Sequence, residues 1–128
     1  MNRVFVYGTL KQGDLIRGMD LFDKEKTNYV GKAVTTDSNY SMIDLGAFPG
    51  VLINGEMNVT GEIYDVDDET LQHLDAIEGY PDFYQRATVN TTEGKAYMYH
   101  LSPEYAQDYP DHKNSSRITV TANNLTWN

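Results

Sequence analysis

The chain has 128 residues, 40% hydrophobic and 23% charged, the length of one typical domain and enough to bury roughly 65–70% of the surface its unfolded form exposes. Ten Lys and Arg against 19 Asp and Glu give a formal net charge of -9, a field that repels phosphate backbones and anionic membrane surfaces and argues against nucleic acid as a partner. There is no cysteine, which excludes thiolate nucleophiles, CxxC redox chemistry and Cys-ligated zinc together.

Met1 to Leu10 is charged and aromatic rather than a basic segment followed by an apolar run, so no signal peptide is expected. No apolar stretch approaches the ~18 residues of a membrane span, so no membrane partner is expected either. Asn-x-Ser/Thr triplets, among them those beginning at Asn58, Asn90, Asn114 and Asn124, carry little weight as glycosylation sites without a secretory signal. The expected location is the cytoplasm, and residues 1–128 are expected to form a single domain.

Arg3-Val4-Phe5-Val6-Tyr7 is β-branched and aromatic and stops at Gly8, so it reads as a strand feeding the tight loop Gly8-Thr9-Leu10-Lys11-Gln12-Gly13. A short helix is expected from Asp14 to Phe22. Strands are expected over Asn28 to Thr35, Tyr40 to Asp44, Val51 to Ile53 and Asn58 to Asp65, with turns at Asp37-Ser38-Asn39, Gly46 to Gly50 and Asn54-Gly55. The last of these is a hairpin signal. Asp67 is a candidate N-cap for a helix through Glu78, with acids in its first turn and Gly79 just past its end. Strands at Gln85 to Asn90 and Lys95 to His100 follow, then a polar stretch from Ser102 to Ser116 and a β-prone run from Arg117 to Thr121. Many short strands with one or two helices define an α+β domain on an antiparallel or mixed sheet, able to close into a barrel.

The helix ending at Glu78 carries the most chemical information. At 100° per residue, Glu78 projects within about 20° of Leu71 and lies between Leu71 and Leu74 around the axis. A carboxylate on an apolar face has its pKa raised towards neutrality, which suits a general acid or base. A frayed last turn pointing to water, or a structural pairing with Arg86, fits the same periodicity. A glycine-bearing turn such as Gly8 to Gly13 can aim backbone N–H groups at an anion or oxyanion, or be a plain turn. Its Walker-like glycine spacing fails where Asp14-Leu15 replaces Lys-Ser/Thr.

Asp75 and Glu78 lie on one helix, unlike the carboxylates that flank a sugar from separate elements. His73, His100 and His112 lack ligand-like spacing, so no metal is expected. Ten tyrosines fall mostly on strands, where aromatic residues pack in any case.

Together, Val4-Phe5-Val6-Tyr7-Gly8-Thr9-Leu10-Lys11-Gln12-Gly13, Phe48-Pro49-Gly50, Gly61-Glu62-Ile63-Tyr64, and Leu74-Asp75-x-x-Glu78-Gly79-Tyr80-Pro81 followed by Tyr84-x-Arg86 resemble, in order and spacing, the gamma-glutamylcyclotransferase-like family. The branch the chain most resembles is the short one typified by gamma-glutamylamine cyclotransferase and a plant avirulence-induced protein. Asn124-Leu125-Thr126-Trp127 matches that family's closing Gly-Asp-Trp segment only in part.

The resemblance implies a small mixed, mainly antiparallel β-barrel with helices packed outside, and a substrate cavity at Tyr7, Gly8, Thr9 and Leu10. Glu78 is implied as the acid/base. The implied reaction is intramolecular: the α-amine of a γ-glutamyl group attacks its own γ-carbonyl, expelling an amine and leaving 5-oxoproline. The nucleophile belongs to the small-molecule substrate, so neither Ser, Cys nor a cofactor is needed. Backbone N–H groups at Gly8, Thr9 and Leu10 would hold the substrate's carboxylate or carbonyl, and Tyr7 would line the cavity. Phe48-Pro49-Gly50 is placed at the rim, as a stiff turn or a binding element. Arg86 either pairs with Asp75 or Glu62 or binds substrate. A non-catalytic binding module on the same fold, or an acyl-transfer enzyme for another γ-glutamylated metabolite, stands beside this reading.

Overall fold

The computed structural model describes residues 1–8 and 27–127. The expected helix from Asp14 to Phe22 lies outside them. The described strands are β1 (Asn2–Val6), β2 (Thr27–Val34), β3 (Tyr40–Asp44), β4 (Pro49–Val66), β5 (Tyr84–Thr91), β6 (Gly94–Leu101), β7 (Ile118–Thr121) and β8 (Asn124–Trp127). The helix α1 (Asp68–Glu78) stands between β4 and β5.

β1 is the centre of a mixed sheet. It pairs antiparallel with β4, from Asn2 opposite Val66 to Val6 opposite Glu62, and parallel with β6 through Val4 and Phe5. β5 extends the sheet beyond β6, and β2 and β3 both pair antiparallel with β4. The edges β2 and β5 meet at one end, where Thr35 and Thr91 form an isolated bridge. Hydrogen bonds of 2.9 Å from Thr36 N–H to Asn90 O and from Thr92 N–H to Val34 O flank it.

The run Val4-Phe5-Val6-Tyr7 is apolar throughout because β1 is covered on both faces. Phe5 and Tyr7 pack inside the curled sheet with Met42, Val51, Ile63 and Met98. Val4 and Val6 face the other way, into the layer beneath α1 with Leu71, Leu74, Tyr84 and Tyr99. The helix starts and stops by local chemistry. The Asp67 side chain accepts the Thr70 N–H at 2.8 Å, Asp68 and Glu69 occupy the first turn, and Gly79 ends the helix in the left-handed conformation at φ 69°.

Two expectations need correction. Asn54-Gly55 is not a hairpin turn: β4 runs unbroken from Pro49 to Val66 and joins the segments expected at Val51 to Ile53 and Asn58 to Asp65. Tyr40 pairs with Met57 while its neighbour Ser41 pairs with Leu52, so Ile53 to Glu56 bulge out of the ladder. Gly55 donates its N–H to Asn39 O at 2.9 Å, and a β-carbon there would stand 2.2 Å from Tyr40 O. The glycine serves a close chain approach, not a turn. The C-terminal region is also more ordered than a single β-prone run. β7 pairs with β8, and β8 lies parallel to β4 at Asn58 and Val59, burying Leu125 and Trp127.

Candidate functional site

Four parts of the fold enclose a cavity of about 280 Å³, just below the range of about 300–1,000 Å³ usual for small-molecule sites. β1 supplies Phe5, Val6 and Tyr7 and ends at Gly8. The connection from β3 supplies Phe48 and leads into Pro49. The last turn of α1 supplies Ile77 and Glu78, and β5, its preceding loop and β6 supply Phe83, Tyr84 and Tyr99. Thr9 and Leu10 lie outside the described residues.

Glu78 follows the buried Leu71 and Leu74 along one side of α1 and presents its half-buried carboxyl to this cavity. Burial raises that carboxyl to about 7, because lost hydration penalises the charged form. Burial also pushes the Tyr7 phenol well up, with Tyr84 and Glu78 adding to it. Tyr84 is raised by its burial and then by Glu78, and Tyr99 by its burial and then by Asp75. The three phenols therefore stay protonated at neutral pH.

Their protons are directed into the framework. Tyr7 donates to Tyr99 O at 2.6 Å and accepts the Val51 N–H at 3.2 Å. Tyr84 donates to Pro49 O at 2.5 Å, and Tyr99 donates to Asp75 Oδ1 at 2.5 Å. What these residues offer the cavity is mainly ring surface. Among the described lining residues, Glu78 is the one side chain able to exchange a proton near neutral pH.

Gly8 has a steric reason to lack a side chain, since a β-carbon there would lie 2.9 Å from both Cδ and Cγ of Pro49. Of the partners expected for Arg86, the structure selects Asp75. Nη1 meets Oδ2 at 2.5 Å, and the guanidinium lies 5.0 Å from the Tyr80 ring centroid and 4.8 Å from that of Tyr97. Arg86 is not among the residues lining the cavity.

Sequence reasoning brought Tyr7, Gly8, Phe48, Pro49 and Glu78 to one place, and the structure gathers them there. It did not single out Ile77, Phe83, Tyr84 or Tyr99 as lining residues. Tyr84 stood within a quoted motif, but its partner is a main-chain carbonyl 35 residues away, which leaves no local signal. Among the described residues no group of three His, Asp or Glu side chains is placed to hold a metal ion, and no helix is long and apolar enough to cross a membrane.

Residues 4–119 match the sequence model of the family described as gamma-glutamyl cyclotransferase, AIG2-like, and the chain belongs to that family. A Vibrio cholerae protein provisionally named a gamma-glutamylcyclotransferase is 40% identical over 96 residues, which is 75% of this chain and 78% of that one. YtfP of Escherichia coli K12, named a gamma-glutamylcyclotransferase family protein, is 35% identical over 99 residues, covering 76% of this chain and 80% of its own. The crystal structure of a mouse AIG2-like protein has the same fold, with a TM-score of 0.70 at 28% identity over 100% of this chain and 95% of that one.

Proposed function

We propose that the protein is a cyclotransferase that converts the γ-glutamyl group of a γ-glutamylamine, or of a similar γ-glutamyl compound with a free α-amine, into 5-oxoproline with release of the amine. Glu78 is its acid/base. The observation that carries this reading is the carboxyl of Glu78, held in an apolar cavity beside Gly8 with its pKa raised to about 7. Family membership supports the reaction class.

The substrate's α-ammonium gives a proton to the Glu78 carboxylate, and the freed nitrogen attacks the γ-carbonyl carbon. A C–N bond forms, closing a five-membered ring, and the carbonyl oxygen takes up negative charge. Collapse of that intermediate breaks the bond to the departing nitrogen, which receives the proton held by Glu78. The ring nitrogen passes its second proton through the regenerated carboxylate to the released amine, which leaves as an ammonium. Water and electron acceptors take no part, so the reaction needs no cofactor. A base with a pKa near the working pH both accepts and returns the proton readily. Holding amine and carbonyl together supplies the rest of the rate, because the step is intramolecular. Main-chain N–H groups at Gly8, Thr9 and Leu10 are assigned to the substrate's carboxylate or carbonyl oxygen.

The test is incubation with a panel of γ-glutamyl amides, with 5-oxoproline and free amine quantified by mass spectrometry. The expected result is equimolar appearance of both, abolished when the α-amine is acetylated. Release of glutamate, or turnover of the acetylated compound, would show ordinary hydrolysis instead.

A further inference from the structure

One wall of the cavity is apolar and open to solvent. Phe48, Ile77 and Phe83 come from three separate segments and all line the cavity, yet Phe48 and Ile77 remain 37% and 58% exposed. Large apolar side chains gathered and left open beside a cavity mark a place where a ligand covers them. The wall is also braced. Phe48 and Phe83 meet edge to face with centroids 6.4 Å apart, and Phe83 packs on Tyr84 at 5.0 Å and on Tyr105 at 4.9 Å. Ile77 directly precedes Glu78 on α1, so the wall begins next to the carboxyl.

No lysine or arginine is among the described lining residues, and the charge of the nearby Arg86 is taken up by Asp75. The glutamyl end of a substrate brings an ammonium and a carboxylate, which call for Glu78 and for main-chain N–H groups. The group on the far side of the γ-carbonyl meets hydrocarbon. Among the described lining residues no side chain other than Glu78 could replace the hydration that a charged substituent gives up on contact with this wall.

We infer that Phe48, Ile77 and Phe83 form the subsite for the departing amine, and that it takes an uncharged apolar substituent, aliphatic or aromatic. The inference rests on the cyclotransferase reading of Glu78.

The experiment compares kcat/KM for the γ-glutamyl amides of ethylamine, butylamine and hexylamine, whose nitrogens are alike in basicity and differ only in apolar length. The mono-amide of hexamethylenediamine supplies the same length with a terminal ammonium. The hexyl amide is expected to exceed the ethyl amide by about 10-fold or more, and to exceed the diamine derivative. In Phe48→Ser the hexyl-to-ethyl ratio should fall towards unity. Phe83→Leu, which keeps bulk and removes the ring, should lower the same ratio and carries the test if the first variant does not fold, as judged by circular dichroism. A flat series with 5-oxoproline still formed, or a diamine amide that is the better substrate, would overturn the subsite and leave the Glu78 chemistry standing. Absence of 5-oxoproline from every amide would remove the cyclotransferase reading and the subsite with it.

Discussion

The Tyr99 hydroxyl donates to Asp75 Oδ1 at 2.5 Å, fastening the last turn of α1 to β6. The other oxygen of the same carboxylate takes Arg86 Nη1 from β5 at 2.5 Å, and the Tyr99 carbonyl takes the Tyr7 hydroxyl at 2.6 Å. Glu78 follows Asp75 by three residues and lies one turn further along the same side of the helix. The carboxyl proposed for catalysis is thus carried by a helix end fixed to two strands, one of which also holds Tyr7.

Asp75→Asn removes the charge facing a half-buried Arg86 while keeping an acceptor for Tyr99. Stability should fall by about 1–2 kcal/mol, and kcat should fall more than KM rises, because the helix end that carries Glu78 is loosened. Denaturant melts and steady-state kinetics read both. Lost stability with kcat untouched would reduce Asp75 to a purely structural role.

Gly8→Ala puts a methyl group against the Pro49 ring, whose carbonyl is held by Tyr84, and Gly8→Val puts more. The alanine variant should lose about 1–3 kcal/mol of stability together with substrate affinity, and the valine variant more of both. Thermal melts and KM values check this. An alanine variant with wild-type KM would show that the ring yields and that the close approach is incidental.

Glu78 makes stability depend on pH. Its carboxyl has an ordinary value of 4.5 and rises to about 7 on folding, so between those values the folded chain holds a proton that the unfolded chain releases. Stability from this group therefore falls as pH rises through that window, and the loss is complete above it. Glu78→Gln should be more stable than the wild type by about 1–3 kcal/mol at about pH 8 and no more stable at about pH 4. A difference independent of pH, measured by urea melts, would contradict the raised value.

In the proposed mechanism the same group sets the acid side of the rate profile. With Glu78 required as the carboxylate in the free enzyme, kcat/KM should climb about tenfold per pH unit and level off above about 7. A midpoint near the ordinary carboxylate value of 4.5 would show that the working base is hydrated, not buried.

Features written in local chemistry were legible in the sequence. Asp67 and Gly79 bound α1 because capping depends on a few neighbouring residues, and Glu78 stands on the face of Leu71 and Leu74 because helical periodicity is local too. The family motifs gathered Gly8, Phe48, Pro49 and Glu78 without geometry. Features that depend on distant partners were not legible. The bulge at Asn54-Gly55 follows from its approach to Asn39 and Tyr40, and β8 from its pairing with Asn58 and Val59. The phenolic protons go to the main chain at Pro49 and Tyr99 and to the Asp75 carboxylate. Phe83 and Ile77 join the site only because α1 packs over β1, which no short window encodes.

As proposed above, Glu78 moves the proton between the α-ammonium and the departing nitrogen. The most direct test is the rate of 5-oxoproline formation by Glu78→Gln against the wild type on one γ-glutamyl amide, with folding of the variant verified by melting. Gln keeps size and loses basicity, so kcat should fall by about 100-fold or more in a folded protein. A folded Gln variant that forms 5-oxoproline at the wild-type rate would contradict it.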